Sequence, residues 1–393
     1  MQVSPLSNFM KDCVIHIGMH KTGTSSIQMS LRHGLDDPGF LYVDFDEPNG
    51  SQAMTILFRD VSESISIYGE IGWSARHIAR YKTKVLHRLE RSLTHAPRNV
   101  CPIISAEACW WMNRTEFERI RAFMADRGYR VRIIVYLRPW KQWAESMFQE
   151  SVKHSQNTPR ELRIPTLLYD YPERIQMLEA VFGPEQVQVF KYDPRTFPEG
   201  CVVRHFCEQL GIHFDARRIR RANESLKLPA VQLLYAHWKL GPQREKSELE
   251  SLASMLVTRQ LQKLDGPSFC IHSSLFEPYV PDMARQRFWL EQRLGVSFEE
   301  DIYAHDDRSS IREEADLLNF SPDTVSWLAA ATRSAAVAPV DGSLSTAAVC
   351  DQMHRLYQSA VRKARFLRVW YGVRHRLFWT KKYIRRFYPA FDA

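Results

Sequence analysis

The stretch Cys13-Val14-Ile15-His16-Ile17-Gly18-Met19-His20-Lys21-Thr22-Gly23-Thr24-Ser25-Ser26-Ile27-Gln28 decides the fold. Its opening residues are short, apolar and β-branched, which predicts a buried strand over 13–17. A Gly-rich turn follows at once, and a helix opens behind it and runs through Arg32. The first N–H groups of such a helix have no intrahelical partner, and the helix dipole adds partial positive charge there. Lys21 supplies a full charge, and Thr22, Thr24, Ser25 and Ser26 supply hydroxyl donors. Gly18 and Gly23 let the backbone approach a ligand closely. Together these residues describe a cradle for a phosphate-like or sulfate-like group. It is not a Walker A loop, because the lysine precedes the second glycine instead of following it. The plain alternative is a Gly/Thr-rich turn with an exposed lysine.

Outward from this loop, further strands are predicted at 99–105, 130–137 and 186–190, with a weaker one at 41–43. Nearly continuous apolar strands separated by helical stretches predict a parallel sheet covered on both faces, hence a doubly wound α/β domain. The pattern changes near residue 230. Helices are predicted over 228–264 and 281–294. The Ala/Ser/Thr-rich run 329–348, with Pro339 and Gly342, reads as a linker or loose surface segment, or in part as an Ala-rich helix. The expected organisation is therefore an α/β domain over 1–230, a helical completion of it or subdomain over 231–330, and a linker plus basic aromatic helix over 331–393.

Composition narrows the classes. The chain has 393 residues, 45% hydrophobic and 25% charged, which excludes global disorder and fibrous repeats. Its 53 Lys and Arg against 45 Asp and Glu give a net charge of +8, which permits anionic partners without identifying one. The seven cysteines are scattered, with no Cys-x-x-Cys pair and no spacing suited to zinc, so reduced thiols and no metal are expected. No leader-like stretch opens the chain, and no run of about 18 apolar residues occurs, so a cytoplasmic location is expected.

A second signature lies at the end of the apolar strand 130–137. Arg138 closes it, Pro139 suits a first helical position, and Ser146 follows eight residues after the arginine. That spacing is a little over two helical turns, so a guanidinium fork and a hydroxyl could converge on one phosphate. A surface arginine and an unrelated helix-face serine are the alternative. In open α/β sheets, ligands bind at the carboxyl ends of strands, so both signatures should face one crevice.

The words His16 to Gln28 resemble the 5′-phosphosulfate loop of sulfotransferases that use 3′-phosphoadenosine 5′-phosphosulfate (PAPS), the bacterial members above all. Tyr136-Leu137-Arg138-Pro139 and Glu145 to Lys153 resemble the 3′-phosphate motif of the same family. Looser similarity is carried by Gln186 to Asp193, by Asn223-Glu224-Ser225-Leu226 and by 281–296, so the resemblance spans roughly 13–300. It implies a P-loop sheet of nucleotide-kinase-like type with helical additions toward the C-terminus, and PAPS as sulfuryl donor with 3′-phosphoadenosine 5′-phosphate (PAP) as product. Lys21, Thr22, Gly23, Thr24, Ser25, Ser26, Arg138 and Ser146 would bind the donor. The implied acceptor is a hydroxyl, carbohydrate or polysaccharide in first place, a lipid headgroup or small metabolite behind. A P-loop kinase or nucleotidase, and a non-catalytic anion- or membrane-binding scaffold, are the other classes.

Sulfuryl transfer needs a base and stabilisation of charge on the leaving phosphate oxygen. Lys21 is the candidate for the second task. Glu107, just after the strand 99–105, is the first candidate for the base, since Ser105-Ala106-Glu107 resembles the family's Ser-x-Glu words; a helix-start carboxylate is its structural alternative. His20 is the rival catalytic residue. His16, alternating with Ile15 and Ile17, reads as a buried histidine, and Asp44, Asp46 and Glu47 are near enough to be weighed.

The tail from Val361 to Ala393 carries ten Lys or Arg against one acid, Asp392, an excess of nine beside a whole-chain net of +8. Phe366, Trp370, Val373 and Leu377 recur at helical spacing among these cations. Three partners fit: the protein's own core with a solvated basic face, an anionic membrane surface on the cytoplasmic side, or an acidic polysaccharide. Nucleic acid does not, since no recognition module accompanies the charge.

Overall fold

The computed structural model describes residues 10–19, 21–60, 73–153, 162–221, 225–241, 248–304, 306–333 and 346–387. By internal contacts the chain forms two compact units that interleave along the sequence: 1–147, 163–225 and 272–306 in one, 148–162, 226–271 and 307–393 in the other.

The first unit is built on a sheet of five parallel strands: β1 (Lys11–His16), β2 (Phe40–Tyr42), β3 (Cys101–Ser105), β4 (Tyr129–Leu137) and β5 (Val187–Lys191), in the order β2-β3-β1-β4-β5. Cys13, Val14 and Ile15 of β1 and Ile133 to Leu137 of β4 are fully shielded from solvent, which is what strands covered on both faces require. The register pairs Ile15 with Ile104 on one side and with Ile133 on the other. Helices in this unit are α1 (Thr24–Gly34), α2 (Ser51–Phe58), α3 (Ala75–His95), α4 (Arg114–Ala125), the first residues of α5 (Trp140–Lys153), α6 (Tyr171–Phe182) and α7 (Val202–Leu210). The doubly wound α/β class read from the sequence is the one observed, and each sequence-read strand is present within two residues at either end. Val14, Ile27, Leu31, Ile134, Tyr136 and Phe206 pack into one core cluster. Each such side chain contributes roughly 1.5–3 kcal/mol by leaving water. Because β1 is central, the chain changes direction across the sheet there, which places the crevice for a ligand at its carboxyl end.

The second unit is helical. α8 (Leu228–Leu240) is buried all round from Leu228 to His237, and Phe148 stacks on Phe269 at 5.4 Å between ring centres. The long helix expected over 228–264 is interrupted. α8 stops at Gly241, whose extended backbone ends the hydrogen-bonded ladder, and α9 resumes as Glu248–Leu261. The run 329–348, read as a loose linker, is helical at both ends: Ala329 to Thr332 close α11 (Pro322–Thr332), and Thr346 to Ala348 open α12 (Thr346–Phe387). Its middle, 334–345, lies outside the described residues. Helix α10 (Val280–Leu294), in the first unit, matches the reading at 281–294.

α12 anchors through a stripe of Val349, Met353, Leu356, Tyr357, Ala360 and Ala364, all buried at three- and four-residue spacing. Tyr357 stacks on His237 at 4.3 Å. Two residues past the stripe, Phe366 is 68% exposed. The side chains of Trp370, Val373 and Leu377 lie outside the described residues, as do residues 388–393. Among the described residues no helix is long and apolar enough to cross a membrane.

Candidate functional site

β1 ends at His16, whose carbonyl accepts from Ala106 N–H at 2.9 Å, and the Ile17 N–H donates to the Ile134 carbonyl at 3.0 Å. The loop is thus sewn between β3 and β4. Lys21 holds a left-handed conformation, φ 65°, and Gly23 another, φ 76°, as the residue capping α1. A lysine in that region stores on the order of 1 kcal/mol of strain, a recurrent property of ligand-binding turns. No acidic residue occupies the first turn of α1, so the positive end of the helix dipole faces the loop.

The side-chain positions of the two glycines are occupied by protein: a Cβ on Gly18 would lie 2.3 Å from the Thr24 methyl, and one on Gly23 would lie 2.5 Å from Val202 Cγ1. The four hydroxyls also divide. Thr22, fully buried, donates to the Met19 carbonyl at 2.6 Å, tying the turn to itself. Thr24, nearly as buried, donates to Glu107 Oε2 at 2.5 Å. Ser25 and Ser26, like Lys21, are half-buried.

Arg138 follows the last residue of β4. Its Nη1 donates to Ser146 Oγ at 2.7 Å and to the Lys21 carbonyl at 3.0 Å. The two sequence signatures therefore meet. The guanidinium lies 5.4 Å from the Tyr192 ring centre, and Tyr171 donates to the Arg138 carbonyl at 2.7 Å. Burial works against the charge of Arg138, and its Nε is shielded from solvent with no hydrogen-bond partner among the described residues. A buried cationic donor left unsatisfied is costly unless a ligand completes it. Glu300 accepts from the N–H groups of Lys141 and Gln142, each at 2.9 Å, and so caps the helix that carries Ser146. Burial pushes the Glu300 carboxyl up, and those two N–H groups hold it down.

Glu107 opens a short 3₁₀ turn after β3. Its Oε1 accepts from Asn49 Nδ2 at 3.0 Å, opposite the bond from Thr24. The turn is held from behind by the Arg174 guanidinium, which donates to the carbonyls of Cys109, Trp110 and Met112. His20 lies outside the described residues, as do Asn223 and Glu224. His16 is fully buried among Tyr136 and Phe206, with Nδ1 2.9 Å from Ser105 Oγ and Nε2 without a partner among the described residues. Burial lowers its pKa to about 4 against the opposing pull of the Glu107 charge, so it is neutral at pH 7. Asp44 pairs with Arg32 at 3.1 Å, and Asp46 with Lys84 and Arg88 at 2.6 and 2.5 Å. The hydrogen bond from Lys84 holds the Asp46 carboxyl below its ordinary range. Glu47 is exposed.

Sequence reasoning missed Asn49, Tyr192 and Glu300. Asn49 carries only a generic turn signal, and Glu300 stands in an undistinguished acidic run, Glu299-Glu300-Asp301.

No family model matches the chain. An uncharacterized protein of Archaeoglobus fulgidus is 32% identical over 126 residues, 32% of this chain and 34% of that protein. The chain thus spans about a third of the length of that relative. A sulfotransferase from Alicyclobacillus acidocaldarius is similar over 73% of this chain and 97% of its own, at 13% identity and a TM-score of 0.38. A structure of the PezAT chromosomal toxin–antitoxin system of Streptococcus pneumoniae is similar over 64% and 86%, at 11% identity and a TM-score of 0.28. Neither structural likeness is close enough to bear on activity.

Proposed function

We propose that the chain is a sulfotransferase that moves a sulfuryl group from PAPS to an acceptor hydroxyl, with a carbohydrate or polysaccharide as the favoured acceptor. One observation supports the reading above the others: Arg138 bridges Ser146 and the backbone of the Lys21 loop while its buried Nε has no partner among the described residues. Two cationic grips at the ends of neighbouring strands suit a nucleotide with two separate anionic groups. In this reading the Lys21 loop and the start of α1 hold the phosphosulfate, and Arg138 with Ser146 holds the 3′-phosphate.

The chemistry then balances as follows. The acceptor oxygen forms a bond to sulfur, and the bond from sulfur to the 5′-phosphate oxygen breaks. The acceptor proton passes to Glu107. The charge left on the phosphate oxygen of PAP is stabilised by Lys21.

The basic tail extends the proposal to a partner. Phe366 stands exposed beside Arg362, Lys363 and Arg365, which favours an anionic membrane surface.

Calorimetric titration with PAP, and separately with ATP and Mg²⁺, tests the donor. Binding of PAP that is lost in Lys21→Ala is expected. Binding of ATP–Mg²⁺ with no binding of PAP would overturn the reading in favour of a P-loop kinase or nucleotidase. Binding of PAP without its release from PAPS across a panel of acceptors would favour a scaffold.

A further inference from the structure

We infer that Thr24 is a positioning residue for Glu107, locked in that role by Gly18, and that its hydroxyl is not a ligand of the donor phosphates. The inference rests on the proposed function for the meaning of Glu107, but its geometry does not.

Thr24 is the first residue of α1, where a hydroxyl beside an anion loop would ordinarily be assigned to the anion. A threonine hydroxyl has one proton to donate. Here that proton goes to Glu107 Oε2 at 2.5 Å, across 83 residues of sequence and between the ends of two adjacent strands, β1 and β3. Thr24 is almost wholly buried, so water does not compete for the bond.

The rotamer is fixed from the other side. A β-branched side chain has few χ1 choices in a helix. The Thr24 methyl fills the place where a Cβ on residue 18 would lie, 2.3 Å away, so only glycine at 18 leaves that methyl its seat. With the methyl seated against Gly18, the hydroxyl faces Glu107. Asn49 Nδ2 meets the second carboxylate oxygen at 3.0 Å, and the Asn49 side-chain oxygen is itself engaged by the Ser51 N–H at 2.9 Å, which fixes the amide's orientation. A neutral donor thus meets each carboxylate oxygen.

This makes the first turn of the donor helix a structural support for the base. A displacement of the loop moves Thr24, and through it Glu107. Glycine at 18 then serves the base, where a reading of the loop alone assigns it to the ligand.

The test uses the full chain and needs no acceptor. Carbon-13 labelling of glutamate carboxyls gives a signal for Glu107, identified by its disappearance in Glu107→Gln, and that signal is followed against pH. In Thr24→Val its titration moves to higher pH, because the carboxylate has lost a donor. In Thr24→Ser, which keeps the hydroxyl, it returns toward wild type. An unmoved titration in Thr24→Val overturns the inference.

The second arm is PAP affinity. Thr24→Val is expected to bind PAP within about threefold of wild type. A loss of about tenfold or more, the size of losing a hydrogen bond to a charged group, would place the hydroxyl on the phosphate and overturn the inference. If wild type itself fails to bind PAP, the sulfotransferase reading falls, and the titration alone decides the role of Thr24.

Discussion

Arg138 Nη1 lies 3.0 Å from the carbonyl oxygen of Lys21, so the arginine of one signature grips the backbone of the other. The carbonyl belongs to a residue at φ 65°, a conformation that turns the peptide toward the arginine at some cost in strain. The pairing of β1 with β4 makes this possible, since it brings the two strand ends side by side.

Arg138→Lys removes the fork while keeping the charge. A lysine ammonium cannot serve Ser146, the Lys21 carbonyl and a phosphate with the same planar geometry. PAP affinity should fall by about ten- to a hundredfold, the range for losing a charge-assisted bidentate contact. Calorimetry against wild type checks this, and unchanged affinity would remove Arg138 from the donor site.

Glu107→Gln keeps size and hydrogen-bonding capacity but loses the proton acceptor. PAP affinity should stay within about threefold. Sulfuryl transfer, followed as PAP release with an acceptor panel, should drop by roughly 10²–10⁴, the range for removing a general base. Transfer at the wild-type rate would exclude Glu107 as the base.

His16 sets a pH dependence of stability. Its pKa is about 4 when folded, against an ordinary 6.5, so between those values the unfolded chain binds the proton that the folded chain refuses. Stability contributed by neutral His16 is present above pH 6.5 and is lost as pH falls toward 4, by a total on the order of 3 kcal/mol. Urea unfolding at pH 7.5 and pH 5 should show the loss in wild type and a smaller one in His16→Asn. Equal losses in both would assign the effect elsewhere.

Gly23→Ala meets two costs at once. Its φ of 76° disfavours any side chain, and the new Cβ would lie 2.5 Å from Val202 Cγ1. A loss of about 1–3 kcal/mol in stability is expected from the backbone alone. Adding Val202→Ala should recover only the steric part, leaving the double variant below wild type in thermal unfolding.

The tail is best cut after residue 367. Among the described residues Ala364 is the last of the buried stripe on α12, so deletion of 368–393 is expected to leave the second unit folded. The full chain is expected to co-sediment with vesicles containing phosphatidylserine, and the shortened chain much less, since each basic residue near such a surface adds about 1 kcal/mol. Equal partitioning of both forms would remove residues 368–393 from this membrane role, and retention on an acidic polysaccharide matrix would favour the glycan reading.

The sequence by itself determined the strands, the turn after β1 and the eight-residue step from Arg138 to Ser146. All three are local: they depend on apolar periodicity, on glycine at the turn and on the pitch of a helix, within a span of about ten residues. Only the tertiary structure decided where the hydroxyls of Thr22 and Thr24 point, that Asn49 and Thr24 hold Glu107 between them, and that Asp44 and Asp46 are taken up by ion pairs. It also decided that Gly18 and Gly23 make room for Thr24 and Val202. These contacts mostly join residues far apart in sequence, and no periodicity encodes them. A single hydroxyl proton chooses among acceptors by distance and burial, which exist only once the strands have been laid side by side.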